Sequence, residues 1–136
     1  MPRDDELEHR ARTTVDCGYR LHKDIGPGLL ESVYEVVLAQ MIVERGLRVA
    51  RQVAVPIRYK GVVVDNAFRA DLIVENRLLI ELKSTERHAP IHAKQVITYL
   101  RLTGLRLGIL MNFGLTTFKG GVQRIANDYH SGWSSE

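Results

Sequence analysis

Apolar positions along this chain follow two rhythms, and each change of rhythm marks an element boundary. From about Asp5 to Ile25 the composition is that of a helix. Gly26-Pro27-Gly28 ends it, because proline lacks the donor that a helix interior needs and glycine accepts backbone angles that other residues avoid. From Leu30 onward Val33, Tyr34, Val37, Leu38 and Met41 recur at spacings of three and four, which lines them along one side of a second helix that Gly46 stops. That side is expected to pack on a sheet.

The rhythm then shortens to two. Val49, Val53, Val55 and Ile57 alternate with smaller or polar residues, and Lys60-Gly61 marks a turn. Residues 62–64 and 68–74 read as strand separated by a less regular stretch, and Pro56 either places the first strand at a sheet edge or ends it. Leu78 to Lys83 supplies the next strand. After Pro90, Ala93, Val96, Ile97 and Leu100 give a helical apolar face that Gly104 closes, Leu107 to Phe113 reads as a buried strand, and a short last strand is expected near Val122 to Ile125. The predicted order is α-α-β-β-β-α-β with a short final β, an α/β protein. With no repeat, low-complexity run or long linker, residues 1–136 are expected to form one domain, with an N-terminal helix up to residue 25 and a tail from residue 126.

Composition narrows the classes without choosing among them. Across 136 residues, 45% hydrophobic and 26% charged content is that of a globular chain. One cysteine, Cys17, has no partner for an internal disulfide and no ligands at zinc spacing, which fits a reducing cytoplasm. The first ten residues alternate charges without an apolar core, and no run of about 18 apolar residues occurs anywhere, so neither export nor membrane insertion is expected. A formal charge of +3 is too small to argue for nucleic acid by itself. Arg45, Arg48, Arg51, Arg58 and Lys60 nevertheless lie between Glu44 and Asp65 with no acid among them, which suits either a basic strip for phosphates or a solvated strand face.

Chemistry concentrates where charges interrupt apolar strands, in Arg69-Ala70-Asp71-Leu72-Ile73-Val74 and Leu78-Leu79-Ile80-Glu81-Leu82-Lys83. Side chains two apart on a strand share a face, so Glu81 and Lys83 project together while Leu78, Ile80 and Leu82 face the other way. Hairpin register decides whether Asp71 joins them. A three-residue loop, Glu75-Asn76-Arg77, pairs Val74 with Leu78 and so Asp71 with Glu81; a two-residue loop would send the two acids to opposite faces. The longer loop is predicted, with Asn76 or Arg77 in a left-handed conformation.

Two adjacent carboxylates repel unless a positive charge lies between them, and hard oxygen ligands suit Mg²⁺ or Mn²⁺. Such an ion activates water and neutralises charge developing on a phosphate, with Lys83 as a second cation. The same residues also fit a salt-bridge ladder on an antiparallel hairpin.

Asp71 followed by Glu81-x-Lys83 and a helix resembles the PD-(D/E)XK signature, with Ala70 in place of its proline. Gln95-Val96-Ile97-Thr98-Tyr99 is similar to the QxxxY motif of the RecB-like branch of that superfamily, and residues four apart do share a helix face, with His92 one turn earlier. Gly28-Leu29-Leu30-Glu31-Ser32-Val33-Tyr34 resembles the name-giving motif of the bacterial GxxExxY proteins, as does Asn112-Phe113-Gly114 after the last core strand. The likeness runs from about Leu21 to Ile125. It implies a restriction-endonuclease-like core, a central mixed β-sheet flanked by helices. It also implies a metal-dependent nuclease acting on DNA, in which Glu31, Asp71 and Glu81 hold Mg²⁺ or Mn²⁺, Lys83 is the catalytic cation, and Gln95 and Tyr99 support the site.

Other readings stay open on the sequence. The fold could serve as a catalytically silent or partner-dependent nucleic-acid-binding module, or the substrate could be RNA. Arg48, Arg51, Arg58 and Lys60 are the candidate contacts to nucleic acid. So small a chain offers limited surface to a duplex, which makes a homodimer with one site per strand an expectation of geometry rather than of any motif. His88 and His92 are spaced like a zinc pair, but Pro90 between them argues against one helix carrying both. Tyr34 is expected in the core, within its apolar stripe.

Overall fold

The computed structural model describes residues 4–127. Two helices come first, α1 (Asp5–Ile25) and α2 (Glu31–Glu44), then strands β1 (Val49–Tyr59), β2 (Val62–Val74) and β3 (Leu78–Lys83). They are followed by α3 (Pro90–Thr103), β4 (Leu107–Asn112), a single turn α4 (Phe118–Gly121) and β5 (Val122–Ala126). The strands lie in one sheet in chain order, β1-β2-β3-β4-β5. Only β3 and β4 run parallel, because the crossover between them is α3; the other neighbours are antiparallel, so the sheet is mixed. This is the α/β architecture expected, with α4 added.

Alternation along β3 builds the two cores. Leu78, Ile80 and Leu82 pack with Leu107, Ile109 and Met111 under α1 and α2, against Leu7, Leu21, Tyr34, Leu38 and Ile42. Leu79 and Leu110 face the other way and pack under Val96 and Leu100 of α3. That second layer is close, since a Cβ added at Gly108 would stand 2.9 Å from Val96 Cγ1.

β1 is an edge strand, as Pro56 predicts, but it continues past the proline to Tyr59. Val55 faces Phe68 and Ile57 faces Val64, so Pro56 lies opposite the stretch 65–67. That irregularity is the break expected within residues 62–74; the pairing absorbs it as a bulge and β2 stays one strand. Beyond it the β1–β2 ribbon is solvated, with Tyr59, Val62, Val63 and Val64 all exposed. Of the predicted tail, residues 128–136 lie outside the described part. Among the described residues, no helix is long and apolar enough to cross a membrane.

Candidate active site

The β2–β3 hairpin turns as its loop length predicts. Val74 pairs with Leu78, Ile73 with Leu79 and Leu72 with Ile80, and Arg77 N–H closes the turn on Val74 O at 3.0 Å. The left-handed residues are Glu75 and Asn76 rather than Arg77, with φ of 54° and 58°. Glu75 can stay there because its carboxylate accepts the Arg48 N–H at 2.6 Å and lies 3.3 Å from Arg10. Continued one step, this register sets Asp71 beside Glu81. The ladder ends there instead, and Asp71 Oδ2 accepts the Leu82 N–H at 2.8 Å.

Glu81 is only 7% exposed, and its Oε1 is buried without a hydrogen-bond partner. Its Oε2 lies 3.7 Å from Lys83 Nζ. Burial above all, and then the neighbouring Asp71, push the Glu81 carboxyl up to about 8 against the pull of Lys83. Asp71 is raised too, first by burial and then by Glu35 and Glu31, while the Leu82 N–H and Lys83 oppose the rise. These are acids that cannot all ionise together in so little water. Glu31, exposed at the start of α2, acts on both of them.

The helix that follows covers the pair from the other side. Tyr99 stacks on Phe68 with ring centroids 3.8 Å apart, and its hydroxyl is raised by burial and then by the carboxylates of Glu81 and Asp71. Gln95 lies one turn before it, half-buried on the same face. His92 is lowered by burial and then by Lys83, so it too looks toward the site. His88 instead bonds the Gly120 carbonyl, away from His92, and the two do not form a zinc pair.

The flanking motifs build walls rather than chemistry. Tyr34 is fully buried, stacks on Phe113 and gives its hydroxyl to Gly26 O at 2.6 Å while accepting the Leu29 N–H at 3.2 Å. It thereby fixes the loop that presents Glu31. Asn112 Oδ1 accepts the Thr85 and Gly114 N–H groups at 3.0 and 2.9 Å, holding the segment after Lys83.

Two residues of the site were not anticipated. Glu35, one turn after Glu31, is 5% exposed, and Arg51 Nη2 lies 3.0 Å from its Oε2. Gln52 gives its amide to Glu35 Oε1 at 2.6 Å and reaches Asp71 Oδ1 at 3.5 Å. The i, i+4 spacing from Glu31 was the available signal for Glu35; Gln52 had none. Arg48 and Arg51 are thus engaged with Glu75 and Glu35, while Arg58 and Lys60 lie exposed on the outer ribbon, Lys60 Nζ 5.4 Å from the Tyr59 ring centre.

The chain matches the PD-(D/E)XK nuclease superfamily over residues 8–125. It belongs to that superfamily. No curated protein and no solved structure gives a match. PD-(D/E)XK membership points to a nuclease. The donor set fits a hard divalent ion: a buried and a half-buried carboxylate that resist joint ionisation, the buried one with an orphaned oxygen. As the side chains stand, no three of His, Cys, Asp and Glu among the described residues are grouped closely enough to hold one. The shell expected from Glu31, Asp71 and Glu81 is therefore open, with Asp71 drawn to Leu82 and Glu81 to Lys83.

Proposed function

We propose that this PD-(D/E)XK chain is a Mg²⁺- or Mn²⁺-dependent deoxyribonuclease of the RecB-like QxxxY branch, close to the GxxExxY proteins. The observation that carries the reading is the buried, unpartnered Glu81 oxygen beside Asp71 and within reach of Lys83. A salt-bridge ladder would leave no such atom, since each acid in it is satisfied by a base.

In this reading Asp71 and Glu81, joined by Glu31 from α2, hold the ion. When bound, the ion supplies the Lewis acidity that makes water a nucleophile and offsets charge on the phosphate. Lys83 stands beside Glu81 and gives its ammonium protons to the phosphate oxygens as negative charge grows on them. Tyr99 and Gln95 orient the strand from α3, and Tyr99 keeps its proton because burial first, and then the acids below it, oppose a phenolate. Arg58 and Lys60 on the outer ribbon contact backbone phosphates. One site cuts one strand, so a duplex calls for a second copy. The residue types favour a small cytoplasmic protein that forms one domain.

One observation favours the binding-module alternative, namely that no three acidic or imidazole side chains among the described residues are grouped for a metal. Cleavage decides between the two readings. Labelled single-stranded, duplex and branched DNA, with an RNA strand beside them, are incubated with Mg²⁺, Mn²⁺ or EDTA and with wild type, Asp71→Ala or Lys83→Ala. Metal-dependent products absent from both variants support the nuclease. A folded wild type that cuts nothing overturns it in favour of a binding module.

A further inference from the structure

Gln52 breaks the alternation of β1. On a regular strand residues two apart share a face, yet Arg51 pairs opposite Leu72, which packs under α1 and α2, whereas Val53 pairs opposite Ala70, and both pack under α3. Both strands change face at this step, β1 at Gln52 and β2 at Asp71 between Leu72 and Ala70, and Gln52 is the left-handed residue of the two, at φ 52°. A left-handed backbone at a side chain that is neither Gly, Asn nor Asp is strained and persists where surrounding contacts fix it.

The contacts that fix it lead into the site. Because of the switch, Arg51 and Gln52, adjacent in sequence, reach the same carboxylate: Arg51 Nε to Glu35 Oε2 at 3.1 Å and Gln52 Nε2 to Glu35 Oε1 at 2.6 Å. Both oxygens of Glu35 are taken, and Glu35 is buried against the core side of α2. That anchors the Gln52 amide with its nitrogen 3.5 Å from Asp71 Oδ1. The other Asp71 oxygen is held by Leu82 N–H. Asp71 thus stands between a donor on β3 and a donor on β1, the latter tied through Glu35 to α2.

We propose that Gln52 is a positioning residue for Asp71, a neutral donor anchored by Glu35 and held against a carboxylate that has other acids around it. Gln52 is the residue across from Asp71 in the β1–β2 register, and a cation in its place would compete with the ion. Gln52 directs Asp71 while adding no charge. This rests on the metal-dependent nuclease reading, and deepens it by assigning control of the Asp71 carboxylate to a residue outside the acidic set.

The test compares wild type, Gln52→Gly and Gln52→Met, by thermal melting in EDTA, by Mn²⁺ titration followed by electron paramagnetic resonance, and by cleavage kinetics. Glycine removes the amide and relieves the left-handed backbone; methionine removes the amide and keeps the backbone cost. The expected result is a glycine variant that melts above the methionine variant, and Mn²⁺ binding weakened about tenfold in both, as for other groups that orient metal ligands. Turnover falls in both with little change in KM. Wild-type Mn²⁺ affinity in the two variants overturns the positioning role, and a glycine variant that melts no higher than the methionine variant overturns the account of its backbone. If wild type binds no Mn²⁺ and cuts nothing, the nuclease reading fails and this proposal fails with it. If wild type does both and the variants match it, Gln52 alone is misassigned.

Discussion

Leu82 gives its backbone N–H to Asp71 Oδ2 at 2.8 Å, just beyond Leu72 and Ile80, the last paired residues of the β2–β3 hairpin. A side chain has become the acceptor where the ladder stops, so Asp71 serves the sheet as well as the site. The two roles separate by substitution. Asp71→Asn keeps an acceptor for Leu82 and removes a charge that crowds Glu81; Asp71→Ala leaves the N–H without its partner. Urea unfolding at neutral pH should find the alanine variant less stable than the asparagine variant by about 1–3 kcal/mol, the cost of an unsatisfied buried donor. Both should lose metal-dependent cleavage. Equal stabilities would mean that Asp71 contributes nothing to holding β3.

Glu81 makes stability depend on pH in an unusual direction. Its carboxyl is raised to about 8 from an ordinary 4.5, so between those values the folded protein binds more protons than the unfolded chain. Its contribution is fully present below about 4.5 and is lost as pH rises through about 8. Asp71, raised as well, acts in the same direction. Metal-free protein should therefore melt lower at pH 9 than at pH 6, and Glu81→Gln should remove most of that slope. Melting curves in EDTA across this range test it; a wild-type slope retained in Glu81→Gln would assign the effect elsewhere.

The hairpin was legible because its determinants are local. Breakers at Gly26-Pro27-Gly28, Gly46 and Gly104 and the period of the apolar residues act within a few positions, and the loop from Glu75 to Arg77 sets the register that brings Asp71 to Glu81. What escaped depends on partners far along the chain. Glu35 reads as a surface acid until Arg51 and Gln52 arrive 16 and 17 residues later. Gln52 sits within an ordinary alternation, and nothing beside it in sequence announces its left-handed angle or its bond to Glu35. The run of basic residues after Glu44 fitted a basic strip or a solvated strand face, yet Arg45 pairs with Asp16, Arg48 with Glu75 and Arg51 with Glu35. Only folding brings those acids near. At the turn, Glu75 took a left-handed angle that sequence assigned to its successors, because Arg48 and Arg10 hold its carboxylate. The four-residue α4 is too short to carry a period.

Gly114 shows a glycine fixed by space. A Cβ there would come within 2.3 Å of Thr85 O and 2.4 Å of Thr85 N, both backbone atoms that cannot turn aside. The segment after Lys83 and the segment after β4 touch at this point and are tied together by Asn112. Gly114→Ala should lower stability by about 1–3 kcal/mol or more, as overpacking does, and should move the residues that follow Lys83. Urea unfolding checks the first effect. A variant as stable as wild type would show that the two loops can part freely.

Lys83 closes the argument because its role is chemical with little structural demand. Its Nζ lies 3.7 Å from Glu81 Oε2, at the end of β3, and the backbone there is held independently by Phe113 N–H on Lys83 O at 2.8 Å. Removing the side chain therefore leaves the strand in place. It also removes the cation that favours ionised Glu81, so the Glu81 carboxyl should rise further. Lys83→Ala is expected to fold with a near-native circular dichroism spectrum, to retain Mn²⁺ binding at pH 9, where few protons compete with the ion for Glu81, and to cut DNA about 10²–10³-fold more slowly, the loss typical of one missing transition-state donor. Full cleavage by this variant would remove Lys83 from the chemistry, and loss of Mn²⁺ binding even at pH 9 would make it part of the metal site's architecture instead.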